Sequence, residues 1–164
     1  MRKAEAGRGL ALPTTRTSST ASDWWLDGII GREKMMVSPE RWWEYAERDL
    51  ETAGVLLRAQ RWDAASFHAQ QAVEKAFKAI LVRKGGESPP RIHDLVVLAR
   101  RAGAPATLER DLAELSRVYV VTRYPDVVLE REPAYGIDQA MAEHHLQVAE
   151  GALAWVRQEW STES

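Results

Sequence analysis

Three short stretches of this chain carry side chains able to meet a phosphate or move a proton. The first is His68-Ala69-Gln70-Gln71-Ala72-Val73-Glu74-Lys75-Ala76-Phe77-Lys78-Ala79. At about 100° per residue, His68, Gln71, Lys75 and Lys78 fall within an arc of roughly 80° on a helix. An ammonium offers a point charge for phosphate, and an amide can hydrogen-bond a base or a ribose. A solvated helix face is the plainer use of such a ridge. Glu74 lies beside it and can pair with Lys78 at i,i+4. The second stretch is His93-Asp94-Leu95. Asp94 suits a helix start, where its carboxylate caps free amides, while the His93 imidazole can exchange a proton near neutral pH. The third is Tyr119-Val120-Val121-Thr122-Arg123-Tyr124-Pro125-Asp126. Arg123 would end a helix whose last carbonyls favour a cation, and Asp126 could hold its guanidinium by two bonds. That arginine either clamps the following loop or faces a phosphate. Glu143-His144-His145 is the remaining acidic and imidazole group, but adjacent helical residues diverge by about 100°, so no metal site is expected.

These side chains have to be placed by helices. Ser38 is a good N-cap, Pro39 suits the first helical position and Glu40 complements the positive helix end. Trp43, Ala46, Leu50, Ala53 and Leu57 then recur at helical spacing to about Ala59. A second helix runs from near Asp63 to about Lys84, with Ala65, Ala69, Val73, Ala76, Phe77 and Ile80 facing the core. Gly85-Gly86 and Pro89-Pro90 stop it. A short third helix, Leu95 to Arg101, is closed by Gly103. Thr107 is predicted to cap a fourth, carrying Leu108, Leu112, Leu115 and Val118 or Tyr119 to about Thr122. Pro125 disfavours helix at Tyr124, so the chain leaves the helix there and loops through residues 125–137. Asp138 should cap a last long helix to about Trp160, with Met141, Leu146, Ala149, Leu153 and Val156 apolar. No segment alternates with period two. The expected fold is all-α: an up-and-down helical bundle of four main helices plus one short inserted helix, over residues 38–162.

Residues 1–37 differ in kind. Met1 to Ser22 is rich in Ala, Gly, Thr, Ser and Arg without apolar periodicity, which predicts a disordered N-terminal extension. Asp23 to Ile30 could form one helical turn around Trp24 and Trp25. Met35-Met36-Val37-Ser38-Pro39 reads as a natural start just before the first helix, making the extension a candidate start-site artefact, although two tryptophans argue against a meaningless tail. The 164 residues suit one domain able to bury a core unaided. Twenty-two basic and 24 acidic residues leave a net charge of −2, which excludes a global basic field for nucleic acid but not a local patch. The chain has no cysteine, so disulfides and thiolate metal sites are excluded and a reducing cytoplasm is the expected setting. Its longest apolar runs, such as Val96-Val97-Leu98-Ala99, are far too short to span a bilayer.

Together the three stretches resemble the HEPN family, small all-helical domains of prokaryotic toxin–antitoxin and nucleotide-handling systems. Residues 70–78 resemble the family's Gln-Gln-Ala-x-Glu-Lys-x-x-Lys helix, which the family places at the centre of the bundle. Thr122-Arg123-Tyr124-Pro125-Asp126 resembles the Arg-Tyr-Pro-Asp signature of one branch. The resemblance covers roughly residues 40–160. It implies a homodimer with a cleft at the interface and nucleotide or RNA as ligand, with Gln71, Lys75, Lys78, Arg123, Tyr124 and Asp126 as ligand-binding candidates. It also implies a nucleotidyltransferase partner protein in a toxin–antitoxin-like pair, and no cofactor. Catalytic relatives carry an Arg-x(4–6)-His motif, in which the Arg holds phosphate and the His moves a proton. Here the positions at that spacing after Arg123 are Val128, Leu129 and Glu130. Arg61 to His68 has the spacing, but in another helix. Three functions follow as expectations: a non-catalytic nucleotide or RNA binder, favoured by the missing His; a metal-independent endoribonuclease toxin using Arg123 with His93 or His68; and a non-catalytic structural partner of a nucleotidyltransferase.

Overall fold

Ser38 opens the first helix as its type suggests: its Oγ accepts the Arg41 backbone N–H at 3.3 Å, with Pro39 and Glu40 following. The computed structural model describes residues 38–85, 88–123 and 136–162, apart from the side chains of Val121 and Arg123. The readings of residues 1–37 as an extension, of Tyr124, Pro125 and Asp126, and of the loop up to residue 135 lie outside the described residues.

Among the described residues five α-helices follow one another: α1 (Pro39–Arg58), α2 (Trp62–Arg83), α3 (Leu95–Ala102), α4 (Glu109–Arg123) and α5 (Gln139–Thr162). No strand occurs among the described residues. The molecule is the expected all-α bundle of four main helices, with α3 inserted between α2 and α4. Links are short, and their chemistry is local. Gln60 turns the chain between α1 and α2 at φ 59°. Asp94 caps α3, its Oδ1 accepting the N–H groups of Val96 at 2.9 Å and Val97 at 3.1 Å. Gly103 ends it at φ 83°, a left-handed conformation that costs glycine nothing. Asp138 caps α5 through the Met141 N–H at 2.8 Å.

The start of α4 differs from the expectation. Thr107 lies inside a 3₁₀ turn, Ala106–Leu108, rather than capping the helix. Pro105 precedes that turn at φ −59°, and the Leu108 N–H bonds back to its carbonyl at 3.1 Å. A 3₁₀ turn supplies backbone acceptors to amides that a cap would otherwise satisfy.

Helix α2 is the hub, packing on α1, α3, α4 and α5. Ala65, Ala69, Ala72, Ala76 and Ala79 are buried along it, and such small side chains let neighbouring helices approach closely. Val73, Phe77 and Ile80 fill the middle with Leu95, Leu98, Leu112, Leu115 and Val156. Trp155 leans on Phe77, and Trp160 on Trp43, each at 6.1 Å between ring centroids. No helix of the described residues is long and apolar enough to cross a membrane.

Candidate functional site

An amphipathic surface helix would leave its polar ridge in water, but α2 is surrounded, and its polar residues meet partners on three other elements. Glu74 is the first centre. It is buried, yet its carboxylate is ionised, because it accepts from Lys78 Nζ at 2.7 Å, from Gln70 Nε2 at 3.2 Å and from His93 Nδ1 at 3.1 Å. Burial alone would raise its pKa. The Lys78 hydrogen bond and charge, then the His93 and Gln70 bonds, outweigh that and hold the carboxyl below its ordinary value of 4.5. Lys78 is itself only 6% exposed, and its ammonium also sits 5.7 Å from the centre of the Trp42 ring on α1. The ion pair anticipated between Glu74 and Lys78 is therefore present, but it is an interior pair. Lys78 points at protein rather than solvent.

An ionised carboxylate can only accept, so the nitrogen of His93 facing Glu74 must carry a proton. In the neutral ring that leaves the lone pair on Nε2. The His93 ring stacks on Tyr119 of α4 at 4.6 Å with 9° between planes, and its side chain stays half exposed. Gln70 also reaches the His93 carbonyl at 3.5 Å and receives a bond from Gln71 Nε2 at 2.7 Å. The imidazole is thus fixed in position and tautomer, with its basic nitrogen on the open side. Such an arrangement can accept a proton or a hydrogen bond.

Asp49 of α1 is the second centre. It accepts from His68 Nδ1 at 2.9 Å and from Lys75 Nζ. Both partners are partly exposed, so His68, Gln71 and Lys75 form the accessible part of the ridge, beside the interior Lys78. A third polar pair is wholly internal. His145 of α5 meets Ser66 Oγ at 2.9 Å, and its Nε2 has no partner among the described residues. Burial pushes its pKa below the ordinary 6.5.

Arg123 is the last residue of α4, one turn after the Tyr119 that stacks on His93. A surface depression of about 250 Å³ opens beside that end of α4, lined by Thr122 and by Asp63, Ala64 and Phe67 of α2. Arg61 is exposed before α2, and His68 is spoken for by Asp49, so the Arg61–His68 spacing corresponds to no shared contact. Asp49 and Tyr119 went unnoticed as partners. For Asp49 a signal existed: it stands in the Trp42, Ala46, Asp49, Ala53 register, an acid on a core-facing stripe. Nothing local marks Tyr119 as the platform for His93.

A small all-α bundle whose hub helix holds a buried carboxylate against an imidazole from the α3 entry defines the class of the protein. The chain belongs to the HEPN domain family, which matches residues 39–159. It is similar to the solved structure of TT1696 from Thermus thermophilus, at 28% identity and TM-score 0.66, covering 76% of this chain and 98% of that one. It is also similar to ST0689, described as an archaeal HEPN homologue, at 31% identity and TM-score 0.62, covering 74% and 97%. A 40-residue stretch is 50% identical to a protein of Methanocaldococcus jannaschii named "Putative toxin MJ1304", spanning 24% of this chain and 26% of that protein.

Proposed function

We propose that this chain binds nucleotide or RNA along α2, as the HEPN half of a toxin–antitoxin-like pair whose other half is a nucleotidyltransferase. The observation that carries the reading is His93, fixed by Glu74 and Tyr119 with its second nitrogen outward, next to a ridge that exposes Gln71 and Lys75. An amide and an ammonium that donate, beside an imidazole nitrogen that accepts, suit phosphate, base edges and ribose hydroxyls. The family resemblance adds Arg123, Tyr124 and Asp126 as ligand-binding candidates, with Arg123 as the phosphate-holding group. The similarity of a 40-residue stretch to a protein named as a toxin agrees with this. The functional unit is a homodimer, which light scattering should report as about twice 18.5 kDa.

A second reading, a metal-independent endoribonuclease, draws on one feature. Glu74 gives His93 the polarity of a general base, so its Nε2 could take a ribose hydroxyl proton while Arg123 holds the phosphate. The purified protein, screened against nucleotides and short RNAs in EDTA, tests both. Arg123→Lys should stay folded and bind more weakly, because an ammonium cannot reproduce a two-pronged contact. His93→Gln should weaken binding under either reading and abolish cleavage under the second. Wild-type binding matched by both folded variants would refute the site and leave a structural partner of a nucleotidyltransferase.

A further inference from the structure

The outer face of α1 carries an arrangement that the α2 site does not use. Arg41, Tyr45, Arg48 and Thr52 fall within about 60° of one another around the helix. Tyr45 is 41% exposed. Both arginines are exposed and lean on it, their guanidinium carbons 5.7 Å and 5.4 Å from the ring centre. No ion pair engages either guanidinium among the described residues, although Glu44 and Glu51 flank the stripe. Two cations and an aromatic face are thus gathered where no packing demand explains them. The stripe also adjoins the site. Trp42 and Asp49 bracket Tyr45 along α1, and both face α2, where Trp42 meets Lys78 and Asp49 meets His68 and Lys75.

We propose that Arg41, Tyr45 and Arg48 form a platform for single-stranded RNA, continuing the α2 site onto α1. This rests on the reading of α2 as a nucleotide or RNA site and narrows its ligand to a single-stranded polymer. A base stacks on Tyr45 or on a guanidinium plane, and the two arginines meet the flanking phosphates. Displacing one exposed guanidinium from the ring costs little, since such cation–π contacts are weak in water. Tyr45 lies one turn, about 6 Å, from Asp49, so a chain of nucleotides can occupy platform and ridge together. A duplex keeps its bases stacked inside and offers Tyr45 no face.

The test uses the full-length protein and fluorescence anisotropy with a labelled, unstructured oligoadenylate, with AMP as the probe of the α2 site alone. Tyr45→Ala should raise the oligonucleotide Kd about tenfold, the size of one lost base stack, while AMP binding stays unchanged. Tyr45→Phe should behave as wild type, because the ring and not the hydroxyl does the stacking. Arg41→Ala with Arg48→Ala should make the salt dependence of log K shallower by about 1.4, two phosphate contacts on a single strand. These side chains are exposed, so all variants should keep the wild-type melting temperature. An unchanged oligonucleotide Kd in Tyr45→Ala, with AMP still bound, overturns the platform and leaves the α2 site. Equal affinity for duplex, or equal competition by polyglutamate in wild type and Tyr45→Ala, also overturns it, marking the patch as a plain acceptor of negative charge. Failure of the wild type to bind either probe removes the α2 reading and the platform with it.

Discussion

Replacing Glu74 by glutamine keeps the shape of the side chain and deletes the charge at the centre of the interior network. Lys78 would then hold an ammonium, its side chain only 8% exposed, with no anion beside it. Removing one partner of a buried pair costs about 3–5 kcal/mol, mostly for the charge left behind. The new amide oxygen still accepts from Lys78, and the Trp42 ring still faces it, so the low end, about 3 kcal/mol, is expected. At about 4 °C per kcal/mol for a domain of this size, the melting temperature should fall by about 12 °C. Lys78→Met should cost less, about 1–2 kcal/mol, because Glu74 keeps His93 and Gln70. The double variant buries no charge and should lie within about 1 kcal/mol of wild type, a coupling of about 3–5 kcal/mol. Urea unfolding at pH 7 followed by circular dichroism measures all three. The acid limb adds a check of sign. With a folded pKa below 4.5, Glu74 contributes stability that is complete above about pH 4.5 and is lost as pH falls through the lowered value. Glu74→Gln should lack that part of the acid loss. A cost under about 1 kcal/mol for Glu74→Gln, or a double variant no better than the single, would refute a desolvated pair.

His145 makes a prediction in a higher pH window. Its folded pKa is depressed by burial, so wild-type stability is complete above about pH 6.5 and falls as pH drops below it. His145→Gln should flatten the melting temperature between pH 7.5 and 5.5, values chosen to straddle that ordinary pKa; an unchanged slope would show that the ring titrates freely in the fold. Gly103→Ala meets no atom within 4 Å, so its cost is purely that of the left-handed backbone, about 1 kcal/mol by urea unfolding. A neutral result there would mean that the α3 end relaxes.

The helices were legible because each rests on local rules. Ser38-Pro39-Glu40, Asp94, Gly103 and Asp138 act where their types predict, and the apolar registers of α1, α2, α4 and α5 all face inward. Thr107 misled because Pro105 diverts the chain into a 3₁₀ turn, a competition between two ways of satisfying the same amides. The candidate site was half legible. Its α2 residues stand in sequence as a ridge, and the Glu74–Lys78 pair follows from i,i+4 spacing. What no helical register reveals is which residues come from elsewhere to meet them. Asp49 and His93 reach α2 from α1 and the α3 entry, Tyr119 of α4 stacks on His93, and Trp42 of α1 faces Lys78, an apparent surface charge that lies in the interior.

That one helix touches all the others has a consequence for how the molecule breathes. Amides along a helix covered on all sides exchange with solvent only when the whole domain opens, whereas those on outer helices exchange through local fraying. Helix α2 should therefore hold the slowest-exchanging amides, centred on residues 69–80. Glu74 rides on this most protected segment, while His93 enters from the start of α3, a short helix of eight residues. The carboxylate thus rides on the most protected helix, and the imidazole reaches it from a shorter one. Release of His93 would require the α3 entry to open, and with it Leu95, which is buried in the core, so the imidazole is held by the same packing that protects Glu74.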